Sequence, residues 1–204
     1  MSESRYPIPA TVHRVQETIQ RSRFITTVSH APGSTVAREF VKQIRSEFPD
    51  ATHHCWAFVA GPPGSTSQVG ASDDGEPHNT AGKPMLNALL HSGVGEIVAV
   101  CTRYYGGVKL GTGGLSRAYS SGVKLALDLL PTEPKIDRVA VEIVIGYETV
   151  TELHRIMTDM EVVVESEDYG ERVRFRCGVP AVGFETFSAA VADATNGTGS
   201  VTKR

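Results

Sequence analysis

Apolar positions along this chain switch repeatedly between a period of two and a period of three to four, and those switches mark its elements. Arg23–His30 reads as a strand. Val36, Ala37, Phe40, Val41, Ile44 and Phe48 then recur at helical spacing, which predicts a helix from about Ser34 to Phe48. Ser34 is a suitable N-cap, because its hydroxyl can accept from a free first-turn amide, and Pro49 stops the run. His53–Ala60 is an apolar strand, followed by a polar, Gly/Pro-rich loop from Gly61 to Asn79. A short helix is predicted over Ala81–His91, with Pro84 tolerated only in its first turn. Gly95–Tyr105 contains the continuous run Ile97–Cys101 of a buried strand. A glycine-rich turn and a long helix ending at Leu130 follow, with Leu115, Ala118, Tyr119, Gly122, Ala126 and Leu129 on its apolar stripe.

The pattern breaks at Leu130-Pro131-Thr132-Glu133-Pro134, where two prolines end the helix before the next strand. A linker is placed at about residues 131–135, between domains over 1–131 and 135–204. In the second block Ile136–Tyr147 alternates as a strand, and Thr149–Met160 is a helix. Glu161–Asp168 and Glu171–Val179 form a hairpin, Ala181–Ala194 is a helix, and Ser200–Thr202 closes as a strand. That βαββαβ order is the ferredoxin-like plan. The fold class is α+β with two domains.

Composition excludes several classes. With 40% hydrophobic and 21% charged residues the 204-residue chain is globular, not disordered, fibrous or collagen-like. The longest apolar run falls far short of the roughly 18 residues a membrane span needs. Met1–Pro7 lacks the apolar core of a signal peptide, so no leader and no membrane association are expected. Cys55, Cys101 and Cys177 are odd in number and widely spaced, which reads as reduced, buried thiols of a cytoplasmic protein. Twenty Lys+Arg against 23 Asp+Glu give −3, too balanced to coat nucleic acid by bulk charge. Residues 1–131, however, carry 12 basic against 10 acidic groups, and the remainder 8 against 13. A local phosphate site on the first domain stays open.

Three polar segments of that domain are candidates for chemistry: Thr52–Ala57, Ser72–Pro84 and Thr102–Leu115. In the third, Gly106, Gly107, Gly111, Gly113 and Gly114 fall between a buried strand and a helix start. Glycines there let backbone amides approach a ligand, and a helix start adds about half a positive charge. Arg103, Lys109 and Arg117 supply full charges, with Thr112 beside them and Lys83 at the start of another helix, so an anion is a sensible guest. The equally available structural reading is a tight turn with close helix–sheet packing. Neither phosphate-loop motif fits, since Thr112 stands where one needs Lys and Ser116 where the other needs Gly.

His53-His54-Cys55 invites a metal reading with Asp73, Asp74, Glu76 and His78, but adjacent strand residues point to opposite faces. No structural-zinc spacing or HExxH is present, so neither a metal nor another cofactor is expected. Asp73-Asp74-Gly75-Glu76 crowds three carboxylates into a turn that either serves a site or only turns and caps. Cys55 beside two histidines has poor geometry for a nucleophile–base pair, and no catalytic residue is assigned. In the second domain Arg172, Arg174 and Arg176 alternate on one strand. With a Tyr169-Gly170 turn, Arg172 faces Glu167, Arg174 faces Glu165, and Arg176 faces Val163 without a partner.

The runs Arg103–Leu115, His53–Ala57, Ser72–Pro77 and Thr80–Pro84 resemble those of the IMPACT family, in its bacterial YigZ-like branch, over essentially the whole chain. The resemblance implies a first domain like domain 2 of ribosomal protein S5, an α/β sandwich. It implies a second, ferredoxin-like domain similar to the C-terminal region of translocase elongation factors. Both likenesses point to RNA, the ribosome or a protein of the translation machinery as partner; double-stranded DNA is not expected. Eukaryotic relatives restrain a stress kinase through an extra N-terminal domain; this sequence shows none, so that role is not expected to transfer. Some bacterial relatives carry a proline dipeptidase label that no metallopeptidase motif here supports. Tyr105 stands where the family often has Phe, and His78-Asn79 where it commonly has a small residue. The expected function is a non-catalytic RNA- or ribosome-associated protein, with a groove of His53, His54, Trp56, Asp73, Asp74, Glu76, His78, Tyr104 and Tyr105. The alternative is a small metal-assisted hydrolase using the same groove.

Overall fold

A strand buried on both faces organises the larger part of the molecule. The computed structural model describes residues 5–204, so the first four residues of the stretch read for a leader lie outside it. In chain order the elements of the first unit are β1 (Arg5–Pro9), β2 (His13–Ile19), β3 (Ser22–His30), α1 (Ser34–Glu47), β4 (His53–Val59) and β5 (Val69–Ser72). After these come α2 (Gly82–Leu90), β6 (Ile97–Tyr104), α3 (Gly111–Asp128) and β7 (Thr132–Ile136). β6 lies third in a sheet ordered β2-β3-β6-β4-β5, and each of its strand pairs is antiparallel.

Alternation along β4 and β6 sends side chains to two cores. Cys55, Ala57, Val59, Ile97, Ala99 and Cys101 pack with α2 and α3, while Phe58, Ala60, Val98 and Val100 pack with α1 on the other face. The result is three layers, helix–sheet–helix. Each fully buried large side chain, such as Phe24, Phe58, Met85 or Leu89, stabilises this arrangement by roughly 1.5–3 kcal/mol. The C-terminus of α2 feeds the start of β6, and α3 leaves its far end. Both helices therefore begin at the Arg103 end of the sheet and run back along it side by side.

The chain folds into two compact units, Tyr6–Pro134 and Lys135–Arg204 with Arg5. The second contains β8 (Arg138–Ile145), α4 (Val150–Asp159), β9 (Val163–Tyr169), β10 (Val173–Pro180), α5 (Phe184–Ala194) and β11 (Ser200–Lys203). Its antiparallel sheet is ordered β11-β8-β10-β9, and Val141, Ile143, Ile145, Val173, Phe175 and Cys177 meet Leu153, Met157 and Phe187 from the helices. Among the described residues no helix is long and apolar enough to cross a membrane.

Several expectations need correction. Gly33, not Ser34, is the N-cap of α1, and no side chain caps it. β2 was not expected because His13 and Glu17 occupy alternate positions of its half-buried face and hide the apolar signal. The Gly61–Asn79 segment contains β5, four residues paired with Trp56–Val59. Residues 132–135 of the expected linker belong instead to β7, which pairs with β1, and Asp137 separates β7 from β8. Gly111, Thr112, Gly113 and Gly114 lie in the first turn of α3, not ahead of it. The β9–β10 loop holds three residues, Gly170–Arg172, so the hairpin register differs: Arg174 faces Asp168 and Arg176 faces Ser166. Arg172 donates instead to the Thr198 carbonyl at 2.6 Å, and the Nε atoms of Arg174 and Arg176 each lie 3.7 Å from Glu142 of β8. Arg176 is therefore paired, through a half-exposed contact of small energetic weight.

Backbone approach at the Arg103 end is tight. The β2–β3 hairpin turns on Gln20 and Arg21, both at positive φ (46° and 65°), as a two-residue primed turn requires. Gly106 lies against it: a Cβ there would sit 2.0 Å from the Arg21 carbonyl oxygen. Gly113 is a helical position whose added Cβ meets only the mobile end of Arg117, at 3.7 Å. In urea unfolding, Gly106→Ala is expected to cost about 2 kcal/mol or more, and Gly113→Ala to stabilise by about 0.5–1 kcal/mol. Equal effects of the two would contradict this packing.

Candidate functional site

The three polar segments converge because the sheet register brings them together. His53 at the start of β4 pairs with Arg103 near the end of β6, and Arg103 pairs with Phe24 of β3. The acidic turn folds over this end. Asp74 and Gly75 have φ of 43° and 87°, and the Glu76 amide donates to the Asp73 carbonyl at 2.9 Å, closing a primed turn on the His53 ring.

The three carboxylates of the turn diverge rather than share a site. Asp73 accepts from the amides of Asn79, Ala81 and Gly82 at 2.8–2.9 Å, so it caps α2 from a distance in sequence. Burial alone would raise its pKa, but these amides hold the carboxyl below the usual aspartate value. Exposed His78 stands 3.9 Å from it. Asp74 reaches the other way, pairing with Arg45 of α1 and accepting from the His54 amide at 2.7 Å. Glu76 points inward.

Glu76 Oε1 is the hub of a buried network. It accepts from Arg103 Nη1 at 2.5 Å and from the Tyr119 hydroxyl at 2.7 Å, and His53 Nε2 lies 4.0 Å away. The side chains of Arg103 and Glu76 are only 5% and 4% exposed, so both charges have left water and depend on each other. Arg103 also donates to Ser22 Oγ at 3.2 Å and lies over the Phe24 and Tyr105 rings, while its Nε is buried without a partner. Desolvation raises the Tyr119 pKa far above the ordinary phenol value, so the hydroxyl stays a donor.

The neighbouring titratable groups are equally committed. His53 Nδ1 lies 2.8 Å from the Asp74 carbonyl and must donate to it, which leaves Nε2 toward Glu76. His54 points to the opposite, α1 face, where Nδ1 meets Thr102 Oγ1 at 3.2 Å. Trp56 shares that face and stacks on Phe58 at 5.8 Å between ring centroids. The Cys55 thiol donates to the Asp73 carbonyl at 2.9 Å, and burial pushes it far above its usual pKa. Cys101, opposite it in register, is pushed up to about 12 by burial, so neither thiol is a reactive thiolate. Among the described residues no group of three or more His, Cys, Asp or Glu side chains is placed to hold a metal ion.

The sequence-derived set thus divides. His53, Glu76, Arg103 and Tyr105 meet at one end of the sheet; His54, Trp56 and Asp74 belong to its α1 side. Lys109, Gly111, Thr112, Gly113 and Arg117 are exposed at the turn into α3. Tyr105 is also exposed, while Tyr104 is half-buried beneath the Arg23 guanidinium, 4.2 Å from its ring centroid. Lys83 lies in a groove between α2 and α3, whereas Arg117 faces Ile19 and Gln20 from the other side of α3. Sequence reasoning missed Tyr119, Ser22, Arg21 and Arg23. Tyr119 left one signal: a phenol on an otherwise apolar stripe needs an internal hydrogen-bond partner.

These features define a class: a two-unit α+β protein with a loop-built polar site at one end of its layered first unit. Residues 20–127 match the Impact N-terminal domain and residues 143–198 match a domain of unknown function, DUF1949. The chain is 46% identical over 190 residues to IMPACT family member YigZ of Escherichia coli (strain K12), covering 93% of each. It is 41% identical over 194 residues to an IMPACT family member of Haemophilus influenzae, covering 95% of this chain and 94% of that one. A solved structure described as the crystal structure of an hypothetical protein is 43% identical, with a TM-score of 0.71 and 98% of each chain covered. The chain belongs to the IMPACT family.

Two measurements check the network and the burial of His54 on the other face. Removing the phenol in Tyr119→Phe leaves Glu76 with one donor fewer and is expected to cost about 1–3 kcal/mol in urea unfolding. Burial chiefly lowers the pKa of His54 below the usual 6.5, although Asp74 opposes this. The unfolded chain then binds a proton that the folded one refuses, so stability falls as pH drops through 6.5 toward the folded value. Relative to His54→Gln, wild type is expected to lose stability between about pH 7 and about pH 5.5. Parallel pH profiles would contradict the assignment.

Proposed function

We propose that this IMPACT-family chain is a non-catalytic cytoplasmic protein that associates with RNA or the ribosome and acts in translation or its regulation. The observation that carries the reading is a separation of charge at the Arg103 end of the sheet. Every carboxylate of the acidic turn is engaged, on α2, α1 or Arg103. Outside, Arg21, Lys109 and Arg117 are exposed, and no carboxylate pairs with them among the described residues. A phosphate approaching this rim meets free cations and the start of α3. Tyr105, 47% exposed beside the rim, offers a face on which a base can stack. Arg103 acts in this reading as a positioning strut, not as a phosphate ligand.

Architecture supports the same reading. The helix-covered antiparallel sheet of the first unit supports an S5 domain 2-like reading, with α1 as a further layer, and the βαββαβ order with strands arranged β11-β8-β10-β9 supports a ferredoxin-like one. The hydrolase alternative has no supporting observation: the histidines and acids it needs already serve as caps, turn contacts and ion-pair partners.

Ribosome co-sedimentation over a salt series tests the proposal. Wild type is expected to sediment with ribosomes at about 50 mM salt and to be released steeply as salt rises. Lys109→Ala/Arg117→Ala is expected to bind more weakly, with the log–log salt slope reduced by about 2. Absence of association at about 50 mM salt, or binding indifferent to salt, would overturn it.

A further inference from the structure

A groove of the first unit lies away from the rim, between α2 and α3, with a volume of about 850 Å³. Its two walls carry matched ladders. Lys83 and Asn87 of α2 and its C-cap His91 follow at spacings of four residues, and Ser116, Ser120 and Lys124 of α3 at the same spacing. Since both helices start at the Arg103 end, the two series run in the same direction along the groove. Four residues of helix rise about 6 Å, so each wall offers a polar group at about that interval over its three rungs. Between the walls the floor is apolar, with Pro84, Ala88 and Leu127.

The charges of this groove are free. Among the described residues no ion pair engages Lys83, His91 or Lys124, and Asp128 at one end is the only carboxylate in its lining. His91 Nδ1 lies 2.7 Å from the Asn87 carbonyl and donates to it, which leaves Nε2 facing solvent. Lys83 toward one end, Lys124 toward the other with Asp128 one turn beyond it, neutral amide and hydroxyl groups between, and an apolar floor suit a chain that is charged at intervals and polar and flat between its charges. We infer that the α2–α3 groove binds a short stretch of single-stranded RNA. Its phosphates lie toward Lys83 and toward Lys124 with His91, its sugar hydroxyls and base edges toward Asn87, Ser116 and Ser120, and its base faces on the floor. An acidic peptide fits less well, because the middle of the groove offers neutral groups and no cation. The inference rests on the RNA-binding reading and adds a second contact surface to it, distinct from the Lys109–Arg117 rim.

Fluorescence anisotropy with a labelled, mixed-sequence single-stranded RNA oligonucleotide tests this on the full chain. Lys83→Ala/Lys124→Ala removes two exposed charges without touching the core. It is expected to weaken binding about tenfold or more and to reduce the log–log salt slope by about 2. Asn87→Trp keeps every charge but fills the groove, and should weaken binding to a similar extent; circular dichroism confirms that both variants are folded. Wild-type affinity in both folded variants would overturn the groove assignment while leaving the rim reading intact. No RNA binding by wild type at about 50 mM salt would remove both. Displacement of the RNA by polyglutamate at lower concentration than by unlabelled RNA would assign the groove to acidic peptides and overturn the inference.

Discussion

The arrangement at the Arg103 end of the sheet depends on one buried ion pair. Arg103 and Glu76 are almost wholly out of water, and each is tolerable only because the other is there. Their attraction fixes the acidic turn over the strand ends, and the Tyr119 hydroxyl ties the same carboxylate oxygen to α3. One oxygen therefore joins β6, the turn and a helix. Such a pair adds little to net stability compared with well-packed apolar side chains, but it is unforgiving of the loss of one partner. Its contribution is to fix one geometry for three segments that the chain supplies far apart.

The consequence is a sorting of charge. Once Glu76 is drawn inward, the turn that carries it places Asp73 at the amides of α2 and Asp74 on Arg45. Three carboxylates that look like a site are thereby spent on structure, and the cations around them are left facing solvent. The chain's net charge of −3 conceals this, since it sums a slightly basic first block and a more acidic second one. The exposed cations Arg21, Lys109 and Arg117 stay unpaired with any carboxylate among the described residues, and it is this local surface, not the net charge, on which the proposed phosphate contact rests.

Much of this was legible from the residues, and the rest was hidden for identifiable reasons. The strands His53–Val59 and Ile97–Tyr104 announced themselves by continuous apolar runs, and α1 by its stripe of Ala37, Phe40, Val41 and Ile44. β2 was masked by His13 and Glu17 on its half-buried face, and β5 by glycine and brevity. The motifs of the IMPACT family could be read directly; their convergence at one sheet end is set by the register of β3, β6 and β4, which the residues alone do not show. What could not be read was the direction of each polar side chain. Arg103, next to a glycine turn, has the look of a surface phosphate ligand; the register of β3 and β4 on either side of it is what buries it. Arg21 entered the rim only because Gly106 packs on a hairpin whose first strand carries so weak a signal.

Whether Arg103 and Glu76 act as one unit is open to direct measurement. In a double-mutant cycle read by urea unfolding, Arg103→Met and Glu76→Leu are each expected to cost about 3–5 kcal/mol, because each strands a buried charge. The combined variant is expected to cost far less than their sum, since no buried charge remains unpaired. Additive losses would show that the two side chains do not depend on each other and would contradict the ion pair as the organising constraint.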